Sequence, residues 1–194
     1  MRLLLLLRCL ASALALTTAD LAGTWRQAYS NAYVQATAEI DWGCVEVDIE
    51  VPDEAAGQLV LRKRALLHGG PQNVTTPAFP ARLADGHKLV FPSAATVVVH
   101  TLRGAPVSIK ADRVFDLHSY DNDTLVVTGA NDPALLVWTK GAAAAQSPSK
   151  ADIEAYVQAL GFRPEDPDYA TVSPTYNATA CQEADDPVGD VPRS

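Results

Sequence analysis

The run from Cys44 to Val51 limits the folds open to this chain more than any other stretch. Apolar and acidic side chains alternate strictly along it, with Val45, Val47, Ile49 and Val51 on one side and Glu46, Asp48 and Glu50 on the other. Because successive side chains of a β-strand point to opposite faces, this alternation predicts a strand with one dry and one wet side. Such a strand belongs to a sheet whose apolar face covers an interior.

Further strand-like runs follow along the chain, separated by turn-forming Gly, Pro, Asn and Asp. They span residues 23–29, 58–67, 74–83, 87–91, 96–102, 107–120, 125–129 and 135–139. Pro77 and Pro80 place the run 74–83 at an edge or a bent rim, since proline cannot donate to a strand ladder. Arg62 and Arg64 share one face of the run 58–67, where they can pair with the carboxylates of the preceding strand.

One amphipathic helix follows the last strand. Ser149 and Asp152 form a variant of the capping box, and Gly161 supplies a stop. Its apolar face consists of Ile153, Tyr156, Val157 and Leu160. Strands in succession followed by one terminal helix predict an all-β fold, a closed antiparallel meander with that helix packed outside.

The first nineteen residues read as a secretory signal peptide. They begin with Arg2, continue through the run Leu3–Leu7 and end in small residues around Ala15 and Ala19. The apolar run is shorter than the ~20 residues of a membrane-spanning helix. We therefore expect a signal over residues 1–19, one folded domain over 20–181, and a disordered acidic tail over 182–194. The protein would be secreted or sent to another exported compartment.

The acidic balance of the chain excludes one class of partner. The chain has 15 Lys and Arg and 23 Asp and Glu, and removing the leader takes away Arg2 and Arg8. The mature charge is then 13 minus 23, about minus ten. Because phosphate backbones are bound by clustered Lys and Arg, no nucleic acid partner is expected.

The cysteines and sequons agree with an exported protein. Cys9 leaves with the leader, so Cys44 and Cys181 remain, either as a disulfide, which an oxidising compartment favours, or as two free thiols. Neither has Cys-x-x-Cys or Cys-x-x-His spacing, and we expect no metal site and no cofactor. Glycosylation is predicted at the three sequons, which begin at Asn73, Asn122 and Asn177.

Several short motifs, in this order, resemble those of lipocalins, and most of all the branch that includes apolipoprotein D and its bacterial and plant relatives. They are Gly23-Thr24-Trp25, Cys44-Val45-Glu46-Val47, Tyr120, Leu136-Val137-Trp138-Thr139-Lys140 and Leu160-Gly161-Phe162. The resemblance covers about residues 20–181. It implies an eight-stranded up-and-down barrel with a ligand cup, a stretch 31–42 folded over one end, and a Cys44–Cys181 disulfide.

Two departures from the family pattern concern the structural motif. The family's Thr-Asp-Tyr appears as His118-Ser119-Tyr120, so only the tyrosine matches. The family's last arginine, which lies across the tryptophan of the first motif, is replaced by Lys140. The resemblance implies that Gly23, Trp25, Tyr120 and Lys140 form this motif, with Lys140 over Trp25 as a weaker cation-π partner.

The resemblance implies binding and transport of a small hydrophobic ligand such as a fatty acid, sterol, retinoid or carotenoid, without catalysis. Apolar residues on the alternating strands are the candidates for the pocket, although the sequence does not fix which face of each strand points inward. These candidates are Val47, Ile49, Leu61, Phe79, Phe91, Val97, Val99, Phe115, Leu117 and Val127.

Two other hypotheses stay open. The first is an enzyme acting on a bound lipid or pigment, because polar residues interrupt apolar strands at His100, Asp116, His118 and Tyr120. In that case His100 and His118 would enter the cup. The second is a glycosylated extracellular module that binds an unidentified protein through its rim loops. Peripheral contact with a membrane or a lipid particle is a further expectation for a lipid carrier.

Overall fold

The computed structural model describes residues 15–39, 42–67, 73–92, 97–100, 106–109, 113–141, 148–175 and 181. The strands are β1 (Gly23–Ser30), β2 (Trp42–Asp53), β3 (Gln58–Leu67), β4 (Asn73–Thr75), β5 (Phe79–Ala84), β6 (Lys88–Val90), β7 (Val97–His100), β8 (Pro106–Ile109), β9 (Val114–Asp121), β10 (Thr124–Gly129), β11 (Leu135–Lys140) and β12 (Ser173–Pro174). The helices are α1 (Thr18–Leu21), α2 (Ala32–Thr37) and α3 (Lys150–Ala159), with a 3₁₀ turn at Pro167–Ala170.

Eight of these strands close into a barrel. Their order is β1, β2, β3, β5, β6, β9, β10 and β11, each antiparallel to the next, and β11 pairs back onto β1. The closing pairs include Trp25 with Lys140 and Ser30 with Leu136. The predicted eight-stranded up-and-down barrel is therefore confirmed.

The remaining strands lie beside this ring, and here the sequence-based boundaries were wrong. The run 74–83 is two strands, β4 and β5, which both pair with β3. The runs 96–102 and 107–120 do not each supply a barrel strand, because β7 and β8 form a separate two-stranded sheet and only β9 joins the ring. The stretch after β1, predicted to be irregular, contains α2. The sequence of a short run indicates that it forms a strand. It does not indicate with which other strand the run pairs.

The β2–β3 hairpin keeps the predicted dry and wet faces. Val45, Val47 and Ile49 are buried in the interior. On the outer face, Arg64 lies 3.0 Å from carboxylate oxygens of both Glu46 and Asp48. Arg62 pairs with Glu50 beside them. These pairs are exposed and contribute little to stability, so the buried valines and isoleucine fix the register.

Helix α3 covers the outer face of β9–β11. Ser149 caps it by accepting a hydrogen bond from the backbone N–H of Asp152. The buried face of the helix packs against strand residues, in a cluster of Ile153, Tyr156 and Val157 with Val126, Leu135 and Val137. The ring of Tyr120 meets that of Tyr156 edge to face at 5.1 Å. The segments 125–127 of β10 and 135–138 of β11 are therefore apolar at every position, since one side meets the interior and the other meets the helix.

One end of the barrel, which we call the base, is closed by α1 and the turns 54–57, 85–87 and 122–123. The indole N–H of Trp25 donates to the carbonyl of Leu21 at 2.7 Å. The Nζ atom of Lys140 lies 5.1 Å from the centroid of the Trp25 ring and donates to the carbonyl of Asp20. Both contacts tie α1 to the first and last strands of the ring.

A disulfide joins Cys44, near the start of β2, to Cys181, with their Cα atoms 5.5 Å apart. The predicted pairing is therefore confirmed. The bridge spans 137 residues and links the C-terminal segment to the barrel wall. Among the described residues, no helix has the length and apolar character needed to cross a bilayer.

Candidate functional site

A cavity of about 120 Å³ lies inside the barrel, toward the end opposite the base. We call this the far end; it carries the segment 31–39, Thr76, Arg113 and the turn 130–134. The cavity is lined by the inner faces of β3, β5, β6, β9, β10 and β11 together with the segments that border the far end. The lining residues are Ala38, Trp42, Leu61, Lys63, Thr76, Phe79, Leu89, Phe91, Arg113, Phe115, Val127, Leu136 and Trp138.

Large side chains at the base fill the other half of the interior. Leu21, Trp25 and Leu59 are each no more than 2% exposed and belong to one continuous core cluster. Since α1 pushes Leu21 into this end and Trp25 lies across it, the described part of the base leaves no room for a ligand. Among the described residues, the interior cavity therefore lies beyond this layer, toward the other end of the barrel.

Five of the ten predicted pocket residues line the cavity: Leu61, Phe79, Phe91, Phe115 and Val127. The rings of Phe91 and Phe115 meet edge to face at 5.9 Å and form part of its wall. Val47, Ile49 and Leu117 also point inward, but they pack within the core cluster and do not reach the cavity. Val97 and Val99 belong to β7, and their side chains lie outside the described part of the structure.

Sequence reasoning missed the polar lining residues Thr76 and Arg113. It also missed the apolar lining residues Ala38, Trp42, Leu89, Leu136 and Trp138. In β11 no signal separates the inner Leu136 and Trp138 from the outer Leu135 and Val137, because both sets are buried. Lys63 was also missed, although a signal was present. It follows Leu59 and Leu61 at the period of two, and this places it on the inner face of β3.

The segment 31–39 is fixed over the far end by Asn31. This residue is fully buried, and its side-chain oxygen caps α2 by accepting from the N–H of Val34 at 3.2 Å. Its side-chain amide donates to the carbonyls of Pro133 and Tyr169 at 2.6 and 2.7 Å. These contacts hold α2 against the turn 130–134, and Ala38 then borders the cavity.

The same segment inserts a carboxylate into the barrel. Glu39 is 3% exposed and accepts hydrogen bonds from Nζ of Lys63 and from the side-chain amide of Gln27, both at 2.5 Å. A lysine on the inner face of a barrel requires a counterion, because an unpaired buried charge is costly. Glu39 supplies that counterion and so connects the covering segment to the wall.

The polar groups of the cavity lining are all donors or carry a donor. Lys63 and Arg113 are cationic, Thr76 has a hydroxyl and Trp138 an indole N–H, and no Asp or Glu is among the lining residues. The Nε atom of Arg113 lies 3.6 Å from a carboxylate oxygen of Asp132. The indole N–H of Trp138, a residue only 3% exposed, has no hydrogen-bond partner among the described residues.

His118 does not enter the cup, in contrast to the expectation from its apolar strand. Phe115 and Leu117 belong to the inner cluster, so His118 lies on the outer face of β9, where its Nε2 is 3.2 Å from the hydroxyl oxygen of Thr128. Burial lowers the pKa of His118, against the opposing effect of the Asp116 carboxylate. His87 is exposed at the base, and the side chain of His100 lies outside the described residues. Within the described ranges, no three His, Cys, Asp or Glu side chains cluster as metal ligands do.

Comparison with known proteins finds similar solved structures, among them three of lipocalin fold. Japanin from Rhipicephalus appendiculatus, bound to cholesterol, is 15% identical, with 82% of this chain and 93% of that chain covered and a TM-score of 0.48. The siderocalin Ex-FABP is 10% identical, with 81% and 95% covered and a TM-score of 0.45. A deswapped triple mutant of bovine odorant binding protein is 15% identical, with 80% and 93% covered and a TM-score of 0.40. No protein-family model matches the chain, and no curated protein matches it.

Proposed function

We propose that this protein is an exported carrier that binds one small hydrophobic molecule inside its barrel. The observation that supports this proposal is the apolar cavity at the far end, where Leu61, Phe79, Phe91, Phe115 and Val127 face one another across an unfilled space. Cavities between close-packed side chains cost stability, so an apolar space of this size beside a filled base favours an occupant.

The size of the cavity favours a slender ligand. Its volume of about 120 Å³ is below the ~300–1,000 Å³ of ordinary ligand pockets. A chain-like molecule can enter such a space with one end and extend past the far end with the other. A rigid fused-ring sterol or a long carotenoid would require the walls to separate, so we place fatty-chain ligands ahead of these classes.

The first test is mass spectrometry of an organic extract of the purified native protein, beside an unrelated barrel protein handled identically. A stoichiometric chain-like lipid absent from the control would support the proposal. The second test is titration with lipid probes, monitored through the fluorescence of Trp42 and Trp138, which both line the cavity. No change with any chain-like or ring-containing lipid would contradict carriage of a hydrophobic ligand.

A matched pair of variants separates cavity binding from adsorption to the surface. Val127→Phe places a larger side chain in the cavity, whereas Val60→Phe adds the same atoms at a half-buried position on β3 that does not line it. Loss of binding in Val127→Phe with retention in Val60→Phe is the expected result. Equal binding by both variants would mean that the ligand is bound elsewhere.

Contacts at the base favour a signal cleavage site that differs from the expected one after Ala19. Leu16 packs against the core cluster, and its N–H donates to the carbonyl of Gly86 at 2.7 Å. Thr17 caps α1 through a capping box with Asp20. A cut after Ala19 would remove these contacts from the base, whereas a cut after Ala15 would preserve them and fits the Ala-x-Ala pattern of signal cleavage sites. The intact mass of the secreted protein, after glycan removal, distinguishes the two cuts.

The predicted glycans and tail belong to the same proposal. Asn122 is exposed in the turn between β9 and β10, where a glycan has room. The side chain of Asn73, Asn177 and the acidic tail 182–194 lie outside the described residues. Asp116, His118 and Tyr120, suggested above as an enzyme site, share the outer face of β9 and do not meet at the cavity, so no observation favours a second candidate function.

A further inference from the structure

We infer that the occupant of the cavity is a monocarboxylate amphiphile whose head is bound by Arg113 while its apolar chain lies against the aromatic wall. This inference rests on the proposed function and narrows its ligand class. It depends on the chemistry of the polar lining groups and on the place of Arg113 in the barrel.

The polar lining favours an acceptor on the ligand. Lys63, Arg113 and Trp138 can only donate hydrogen bonds. The hydroxyl oxygen of Thr76 accepts from the backbone N–H of Lys63 at 2.9 Å, so its own proton remains available to donate. A neutral hydrocarbon would leave this set of donors beside apolar surface, and a ligand that brings only donors would add to the mismatch.

Arg113 is the cation in a position to bind the acceptor. Lys63 is already neutralised by Glu39 at 2.5 Å in a buried pair. In contrast, the ion pair of Arg113 with Asp132 is long, at 3.6 Å between Nε and a carboxylate oxygen, and the guanidinium makes no hydrogen bond to the described residues. Asp132 cannot readily follow the arginine, because its other oxygen accepts from the backbone N–H of Ala134 at 3.0 Å.

Position and shape select a carboxylate rather than a larger anion. Arg113 directly precedes β9 at the far end and its side chain is 25% exposed, so a ligand head bound there lies at the boundary between the apolar cavity and water. Two parallel N–H groups of a guanidinium match the two oxygens of a carboxylate. A dianionic phosphate would require a second cation that is not already paired, and the described lining has none.

The indole N–H of Trp138 is a further donor in the wall of the cavity. This N–H is buried in the wall of the same cavity and lacks an acceptor among the described residues. A buried donor without an acceptor is rare and costly in folded proteins. Gln27, which pairs with Trp138 across β1 and β11, also has a buried side-chain oxygen without a hydrogen-bond partner among the described residues. The Trp138 N–H is thus one more donor of the lining, and the position of the carboxylate follows from Arg113.

The test compares octanoate with 1-octanol at pH 7.5, where the acid is ionised, by isothermal calorimetry and tryptophan fluorescence. We expect octanoate to bind about tenfold more tightly than octanol, in line with a hydrogen bond to a charged group that is partly exposed. Arg113→Gln should remove this preference, by weakening octanoate binding about tenfold while changing octanol binding much less. Arg113→Lys, which keeps the charge but not the paired donors, should give an intermediate preference.

Arg82→Gln is the matched control, because it removes the same charge from an exposed residue of β5 that does not line the cavity. It should bind octanoate as the unchanged protein does. Equal binding of octanoate and octanol, or loss of the preference in Arg82→Gln, would overturn the carboxylate inference but not the carrier. Failure of both probes to bind, together with their C6 and C12 homologues, would overturn the carboxylate inference, and failure of ring-containing lipids as well would contradict the proposed function itself.

Discussion

Removing the carboxylate of Glu39 is expected to destabilise the barrel more than any surface charge can. Its side chain is 2% exposed and accepts hydrogen bonds from both Lys63 and Gln27. Breaking a buried ion pair costs about 3–5 kcal/mol, and we use the lower limit because the side chain of Lys63 is 24% exposed. The orphaned amide of Gln27 adds about 1 kcal/mol. Glu39→Ala should therefore lower the free energy of unfolding by about 4 kcal/mol.

The assay is equilibrium unfolding in urea, monitored by tryptophan fluorescence. It is applied to the variants of a double-mutant cycle. Lys63→Met in the Glu39→Ala background removes the stranded ammonium, so the double variant should regain about 3 kcal/mol. Glu50→Ala is the control, because its carboxylate is 60% exposed and its pair with Arg62 is worth at most about 1 kcal/mol. A cost for Glu39→Ala as small as that for Glu50→Ala, or no recovery in the double variant, would refute the reasoning.

Three further predictions concern other parts of the barrel. Replacing Cys44 and Cys181 by serine should lower the free energy of unfolding by about 5 kcal/mol on the chain-entropy model, because the bridge spans 137 residues; urea unfolding tests this. Lys140→Met should cost about 0.5–1 kcal/mol by losing the cation-π contact with Trp25, measured in the same way. Burial lowers the pKa of His118 from its ordinary value of 6.5, so the unfolded chain takes up the proton more readily. Stability should be complete above pH 6.5 and fall as the pH is lowered from there through the folded-state pKa, and His118→Gln should weaken this fall.

The barrel could be predicted from the sequence because its evidence is local. The alternation in Cys44–Val51 fixes which side of β2 is dry, and the short turns at the base join strands that are neighbours in both chain and sheet. The segment 96–109 could not be placed by the same reasoning. Its strand propensity is clear, but pairing with the ring depends on distant strands, and β7 pairs instead with β8.

The cavity could be predicted only in part, because alternation separates inside from outside but not filled space from empty space. Val47 and Phe115 both point inward, and only Phe115 reaches the cavity, since Leu21 and Trp25 occupy the base. The side chain that closes the base comes from α1, which precedes the barrel strands. The periodicity of β2 gives no information about the contact of α1 with the base.

The inward-facing Lys63 links the cover of the barrel to its wall. An ammonium on the inner face of β3 is tolerated because Glu39 reaches it from the segment 31–39, and Asn31 fixes that segment at its start. A ligand carboxylate at Lys63 would have to displace Glu39. The side chain of Glu39 is 2% exposed and accepts hydrogen bonds from both Lys63 and Gln27. Arg113, at 25% exposure and with a long ion pair, presents no such competitor. The fold therefore directs an anionic head to Arg113 and keeps Lys63 for the cover.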